Sequence, residues 1–111
     1  MISIKEIQKA HERILPFIHR TPIFTNKCLN QESGAHLYFK CENFQKAGSF
    51  KIRGATNAVM LLSDKELGKG IVTASSGNHG AALAMAVTSK GGSVQIVMPK
   101  NTPKIKVENV M

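Results

Sequence analysis

Tryptophan is absent from this chain, and tyrosine and aspartate each occur once, the latter as Asp64. Acid is scarce in general: seven carboxylates face fifteen lysines and arginines, a formal net charge of +8 over 111 residues, with a pI near 9.8. Such an excess raises the question of a polyanionic partner. The densest basic stretch, Lys100 to Lys106, has no interleaved aromatic residue, and no zinc-finger, homeodomain or RNA-binding signature occurs. Nucleic acid is therefore not the expected partner. Cysteine is sparse as well: Cys28 and Cys41 show neither metal-ligand spacing nor a disulfide-dense pattern, which fits free thiols in a reducing, cytoplasmic setting. His11 and His19 lack partner spacing for a metal site. The longest apolar run, Ala81 to Val87, is far short of the ~20 residues needed to cross a bilayer. The opening Met1 to Glu6 is too polar for a secretory segment, so neither membrane nor export is expected.

What is present reads as alternating elements, an α/β pattern, and 42% hydrophobic residues argue against disorder. Ser3 and Glu6 form a capping-box pattern ahead of isoleucines at helical spacing, and Pro16 should end or bend that first helix. Thr21 to Thr25 reads as a short extended segment, Asn26 to Gln31 as a short helix closed by Gly34, and His36 to Cys41 as a strand. A helix then follows Ser49 as its N-cap, with Ala55, Ala58, Val59 and Leu62 on its apolar face. Ser63 to Gly70 is polar and turn-rich, a natural boundary. Beyond it come a strand (Gly70 to Ala74), a helix (Asn78 to Ser89), Gly91-Gly92 and a second strand (Ser93 to Met98), which is a βαβ unit with parallel strands. Thr102 as N-cap and Pro103 at the first helical position open a last helix that has barely completed two turns at Met111. We expect the sequence to be the N-terminal part of a larger protein, or the product of a truncated gene.

Two helix starts can carry chemistry. Lys51 falls in the first turn after Ser49, facing the positive end of the helix dipole. Desolvation by Phe50 would add to that in favouring the neutral amine, a nucleophile toward carbonyl compounds such as pyridoxal phosphate. Position alone leaves Lys51 as one of twelve lysines, most of them surface charges. Phe44 and Phe50 could pack around such a site, although aromatic residues near a helix start are commonly plain core. The second start is Ser75-Ser76-Gly77-Asn78-His79-Gly80, where two glycines allow close backbone approach and the helix N-terminus suits a carboxylate or phosphate. Read alone it is equally a tight strand-to-helix turn, and it matches neither a Walker A sequence nor a G-x-G-x-x-G fingerprint.

Taken together, Arg20-Thr21-Pro22, Lys40-Cys41-Glu42-Asn43-Phe44-Gln45, Gly48-Ser49-Phe50-Lys51-Ile52-Arg53-Gly54-Ala55 and Ser75-Ser76-Gly77-Asn78-His79-Gly80 resemble the serine/threonine dehydratase and serine racemase family of fold-type II pyridoxal-phosphate enzymes. The resemblance covers essentially the whole chain. It implies an incomplete tryptophan-synthase-β-like fold, with residues 1–66 as part of a large cofactor domain and 67–111 as the start of a small parallel-sheet domain. It implies that Lys51 holds pyridoxal phosphate as a Schiff base and removes the substrate's Cα proton, that Phe50 packs on the cofactor and that Asn78 bonds its 3′ oxygen. Ser75, Gly77, Asn78 and His79 would surround the substrate carboxylate. Ser76 would face the opposite side of the cofactor, where racemases of the family exchange a proton. Cys41, Tyr38 and Arg53 are left as structural, with Arg53 on the exposed side of its helix. The activity implied is dehydration and deamination of L-serine or L-threonine to a 2-oxo acid and ammonia, with serine racemisation as the alternative. A non-enzymatic remnant or basic interaction fragment is the reading from a different class. The family's phosphate loop, its pyridine-nitrogen contact and the carboxylates of its divalent-cation site would lie beyond Met111, so the 111 residues alone are expected to be inactive, and a complete chain to be a homo-oligomer.

Overall fold

The computed structural model describes residues 1–110. Along the chain run α1 (Ile4–Ile14), β1 (Ile23–Phe24), α2 (Lys27–Ser33), β2 (Phe39–Lys40), α3 (Lys51–Leu61), α4 (Asp64–Leu67), β3 (Ile71–Ala74), α5 (Asn78–Ser89), β4 (Val94–Val97) and α6 (Lys104–Glu108). Tight 3₁₀ turns occupy Leu15–Phe17 and Glu42–Phe44, and a turn with left-handed residues occupies Lys46–Gly48.

The βαβ unit forms as its periodicity predicts. β3 and β4 are parallel, with Ile71 opposite Val94 and Ala74 opposite Val97, and α5 makes the crossover. Ala82, Leu83, Ala86 and Val87 of α5 are buried against Ile52, Ala55 and Val59 of α3 in one apolar cluster that also takes in Ile14, Ile18 and Leu67. Gly92 lies at its edge: a Cβ there would sit 2.5 Å from Leu67 Cδ1 and 2.9 Å from Val87 Cγ1, so only glycine lets the chain leave α5 this close to the core.

Several local expectations shift. The buried face of α3 is Ile52, Ala55, Thr56 and Val59, one step around the helix from the predicted stripe, and Ala58 is exposed. The predicted strand His36 to Cys41 is reduced to Phe39–Lys40, because its partner β1 offers two residues of pairing, Ile23 and Phe24, behind Pro22, which has no N–H to donate. Ser63 to Gly70 is not merely a turn. Ser63 Oγ accepts the Glu66 amide at 3.3 Å and the Glu66 carboxylate accepts the Ser63 amide at 2.8 Å, a capping box that starts α4. Ser3 and Glu6 make the same reciprocal pair at the start of α1, as expected. Thr102 does not cap α6; its hydroxyl donates to the Pro99 carbonyl at 2.7 Å instead. At the far end of α3, the Lys90 ammonium donates to the carbonyls of Val59, Met60 and Leu62, closing a helix C-terminus with a cation. Among the described residues no helix is long and apolar enough to cross a membrane.

Candidate active site

The approach to Lys51 is strained and tightly pinned. Gln45 is buried; its side-chain oxygen accepts the His19 amide at 2.8 Å and the Lys46 amide at 2.9 Å, and its amide nitrogen donates to the His19 carbonyl at 2.7 Å. Ala47 (φ 59°) and Gly48 (φ 64°) then follow in the left-handed region, a conformation that costs an alanine about 1–2 kcal/mol. Ser49 returns to extended backbone, and Phe50 is already helical. The expected cap is not made. Ser49 has the backbone of a capping residue, but its Oγ is buried and, among the described residues, has no hydrogen-bond partner, and no side chain among them caps α3.

Lys51 is exposed, so the desolvation expected from its neighbours is not found in this chain. Its Nζ lies 5.0 Å from the centroid of the Phe50 ring, and among the described residues it has no hydrogen bond or ion pair. Phe44 and Phe50 are themselves exposed rather than core.

Arg53, two residues on, corrects another expectation. It does not stand on the solvent side; its guanidinium forks onto Glu42, with Nε to Oε2 and Nη2 to Oε1 both at 2.8 Å. The Thr21 hydroxyl donates to Glu42 Oε1 at 2.5 Å, and the Lys40 ammonium donates to the Thr21 carbonyl at 2.7 Å. Chiefly through the hydrogen bonds from Arg53, the Glu42 carboxyl is held down to about 2, against the opposing effect of burial and with help from the Thr21 hydroxyl, while Arg53 is raised by the same contact. Three segments that stand apart in sequence are thus one hydrogen-bonded brace.

At the second helix start, Ser75 Oγ accepts the amides of Gly77 at 3.3 Å and Gly80 at 3.1 Å. Ser75 therefore helps to close the start of α5 from two residues before its N-cap Gly77. Asn78 and His79 begin the helix, so their amides have no intrahelical acceptor. The Ser76 side chain is exposed and without a hydrogen bond among the described residues. Gly80 is closely packed, since a Cβ there would lie 3.3 Å from both Ile96 Cγ2 and the Ser75 carbonyl oxygen. Gly77 is different: its Cβ position is open.

Two cavities flank this turn. One of about 350 Å³ is lined by Gly77 and Asn78 together with Ala47, Gly48, Met85 and Lys106. Another of about 460 Å³ takes in Ser75 and Ser76 beside Val97 and Met98. The two predicted motifs therefore meet, through Ala47-Gly48 and Gly77-Asn78, but Lys51, Phe50 and His79 line neither cavity. Lys106 went unnoticed in the sequence because nothing distinguishes it from the neighbouring lysines until α6 brings it to the cavity. Among the described residues no group of three or more His, Cys, Asp or Glu could hold a metal, and both cysteines are free.

These features fit a cofactor carried on a lysine: an unpaired Lys51, a buried Ser49 hydroxyl without a partner one residue before Phe50, and an open glycine edge at Gly77 beside free helix-start amides. Comparison with known proteins gives the family. Residues 14–111 match the family described as pyridoxal-phosphate dependent enzyme. The chain is 54% identical over 109 residues to a serine racemase of Arabidopsis thaliana, covering 98% of this chain and 33% of that protein. It is 50% identical over 108 residues to a beta-hydroxyaspartate dehydratase of Paracoccus denitrificans, covering 97% and 34%. The structure of maize serine racemase superposes with a TM-score of 0.93 at 50% identity, over 97% of this chain and 33% of that one. The chain spans about a third of the length of these relatives. Its fold is that of the fold-type II enzymes, and the chain belongs to the pyridoxal-phosphate dependent enzyme family.

Proposed function

We propose that this chain provides the lysine half of an active site that removes the Cα proton of a hydroxy amino acid, racemising serine, with dehydration to a 2-oxo acid and ammonia as the second outcome. Bound pyridoxal phosphate supplies the electron sink for the charge left at Cα. Lys51 would hold the cofactor and take the proton; among the described residues its amine has no hydrogen bond or ion pair that would have to be broken first. Phe50 and Asn78 are the residues that contact the cofactor. The substrate carboxylate is received at the start of α5. There the Gly77 amide is already engaged by Ser75, so the amides of Asn78 and His79 carry the negative charge, aided by the helix dipole. Ser76 returns the proton on the other face.

The observation that carries this reading is the division of labour between the adjacent serines: Ser75 is committed to capping α5, while Ser76 keeps a free, exposed hydroxyl. The sequence alone puts dehydration first. The free Ser76 hydroxyl and the likeness to serine racemases support the reverse order, and the likeness to a dehydratase supports keeping both branches. The test is to incubate the protein that carries this chain with L-serine and pyridoxal phosphate, measuring D-serine and 2-oxo acid together. Ser76→Ala should abolish D-serine formation and retain oxo acid. D-serine formation at the parent rate in that variant would remove Ser76 from the mechanism, and oxo acid without any D-serine in the parent would make dehydration the reaction.

A further inference from the structure

We propose that Glu42, acting through Arg53, is a positioning residue for Lys51, so that the brace running Lys40–Thr21–Glu42–Arg53 sets where the lysine amine stands. This rests on the reading of Lys51 as the cofactor lysine. The first turn of α3 has none of the usual means of holding its start: no side chain caps it, and Ser49 Oγ makes no hydrogen bond. The two residues before Ser49 are left-handed, one of them an alanine. Such a conformation persists only where the surroundings over-determine it.

The surroundings here do so from two sides. Upstream, the Gln45 side chain clamps the chain leaving β2 to His19 with two hydrogen bonds. Downstream, Arg53 lies in the same helical turn as Lys51 and is fixed by a two-point fork onto Glu42. A planar guanidinium meeting a carboxylate in this way fixes orientation as well as distance. Glu42 is in turn held by Thr21, whose carbonyl is held by Lys40. Among the described residues the exposed lysine amine makes no hydrogen bond or ion pair, so the point from which it reaches is set by the helix turn that the fork anchors. An amine displaced by about 1 Å from its reacting partner loses on the order of a hundredfold in rate, so the fork is placed to act on catalysis through geometry.

The test uses Glu42→Gln and Arg53→Lys in the protein that carries this chain. Two quantities are read besides the melting temperature: the share of borohydride-trapped pyridoxal phosphate found on Lys51 by peptide mapping, and kcat separately from KM for L-serine. A positioning role predicts a fall of threefold or more in the Lys51 share, a fall of tenfold or more in kcat and a KM within twofold, in variants that still melt cooperatively. If Glu42→Gln does not fold, Thr21→Val, which removes one hydrogen bond to Glu42, is expected to give the same pattern at about threefold in kcat. Unchanged trapping and kcat in the folded variants would overturn the proposal. Failure of the underlying reading is a separate result: it appears as trapping that survives Lys51→Ala in otherwise parental protein.

Discussion

The two halves of this chain are held by different forces. From α1 through the start of α3, short strands and turns are fastened by side chains: the Glu42–Arg53 fork, Thr21, Lys40 and the buried Gln45. The β3–α5–β4 unit is fastened by a parallel backbone ladder and close packing of small residues around Ala82, Ala86 and Gly92. Lys51 sits where the two meet, on a helix whose buried face packs on α5 and whose first turn is tied to the brace. Polar ties specify geometry and respond to pH, whereas packing specifies volume and does not.

Substitutions can separate these contributions. The largest effect is expected where both halves share the core. Ile52 is 1% exposed, and Ile52→Ala should cost about 2–5 kcal/mol by lost burial and a residual cavity, read as a fall in the denaturation midpoint at any pH. Glu42→Gln should cost about 1–3 kcal/mol, since Arg53 then keeps a half-buried charge without its carboxylate. Its cost should depend on acidity. Because the Glu42 carboxyl is lowered from 4.5 to about 2, its contribution is complete above pH 4.5 and is lost as the pH falls toward 2. Parent and variant stabilities should therefore converge across that window, and a constant gap would mean that Glu42 does not act through its charge. Gly92→Ala tests the packed half: a methyl against Leu67 and Val87 should cost about 1–3 kcal/mol by overpacking, with no such pH dependence. The smallest effect is expected at α2, where Asn26 accepts the Leu29 amide at 3.1 Å. Asn26→Ala should cost about 1 kcal/mol and leave trapping at Lys51 unchanged.

The packed half was the more legible in sequence, for the same reason that it ignores pH. The short apolar runs at Ile71 to Ala74 and Val94 to Val97, the apolar run of α5 and the Gly91-Gly92 after it are local signals, and the βαβ unit follows from them. In the braced half, Ser3, Asn26 and Gly34 mark helix ends by local chemistry and were readable. Arg53 was not: its partner Glu42 lies eleven residues back in a different turn, and nothing local announces the pairing. Ser49 shows the converse. Its residue type and backbone suit a cap, but its hydroxyl is buried without accepting an amide, a choice made by tertiary structure. At the site, the motifs placed Lys51 on a helix start and Ser76 in the turn before one, while the distinct engagement of Ser75 and the approach of Lys106 depend on contacts that only the fold creates.

Borohydride reduction of the protein that carries this chain, after loading with pyridoxal phosphate, followed by peptide mapping of the reduced adduct, tests the assignment of Lys51 most directly. The label should be found on Lys51, and Lys51→Ala should remove both the label and the visible absorption of the bound cofactor. A stoichiometric label on any other of the twelve lysines, with Lys51 unmodified, would contradict it.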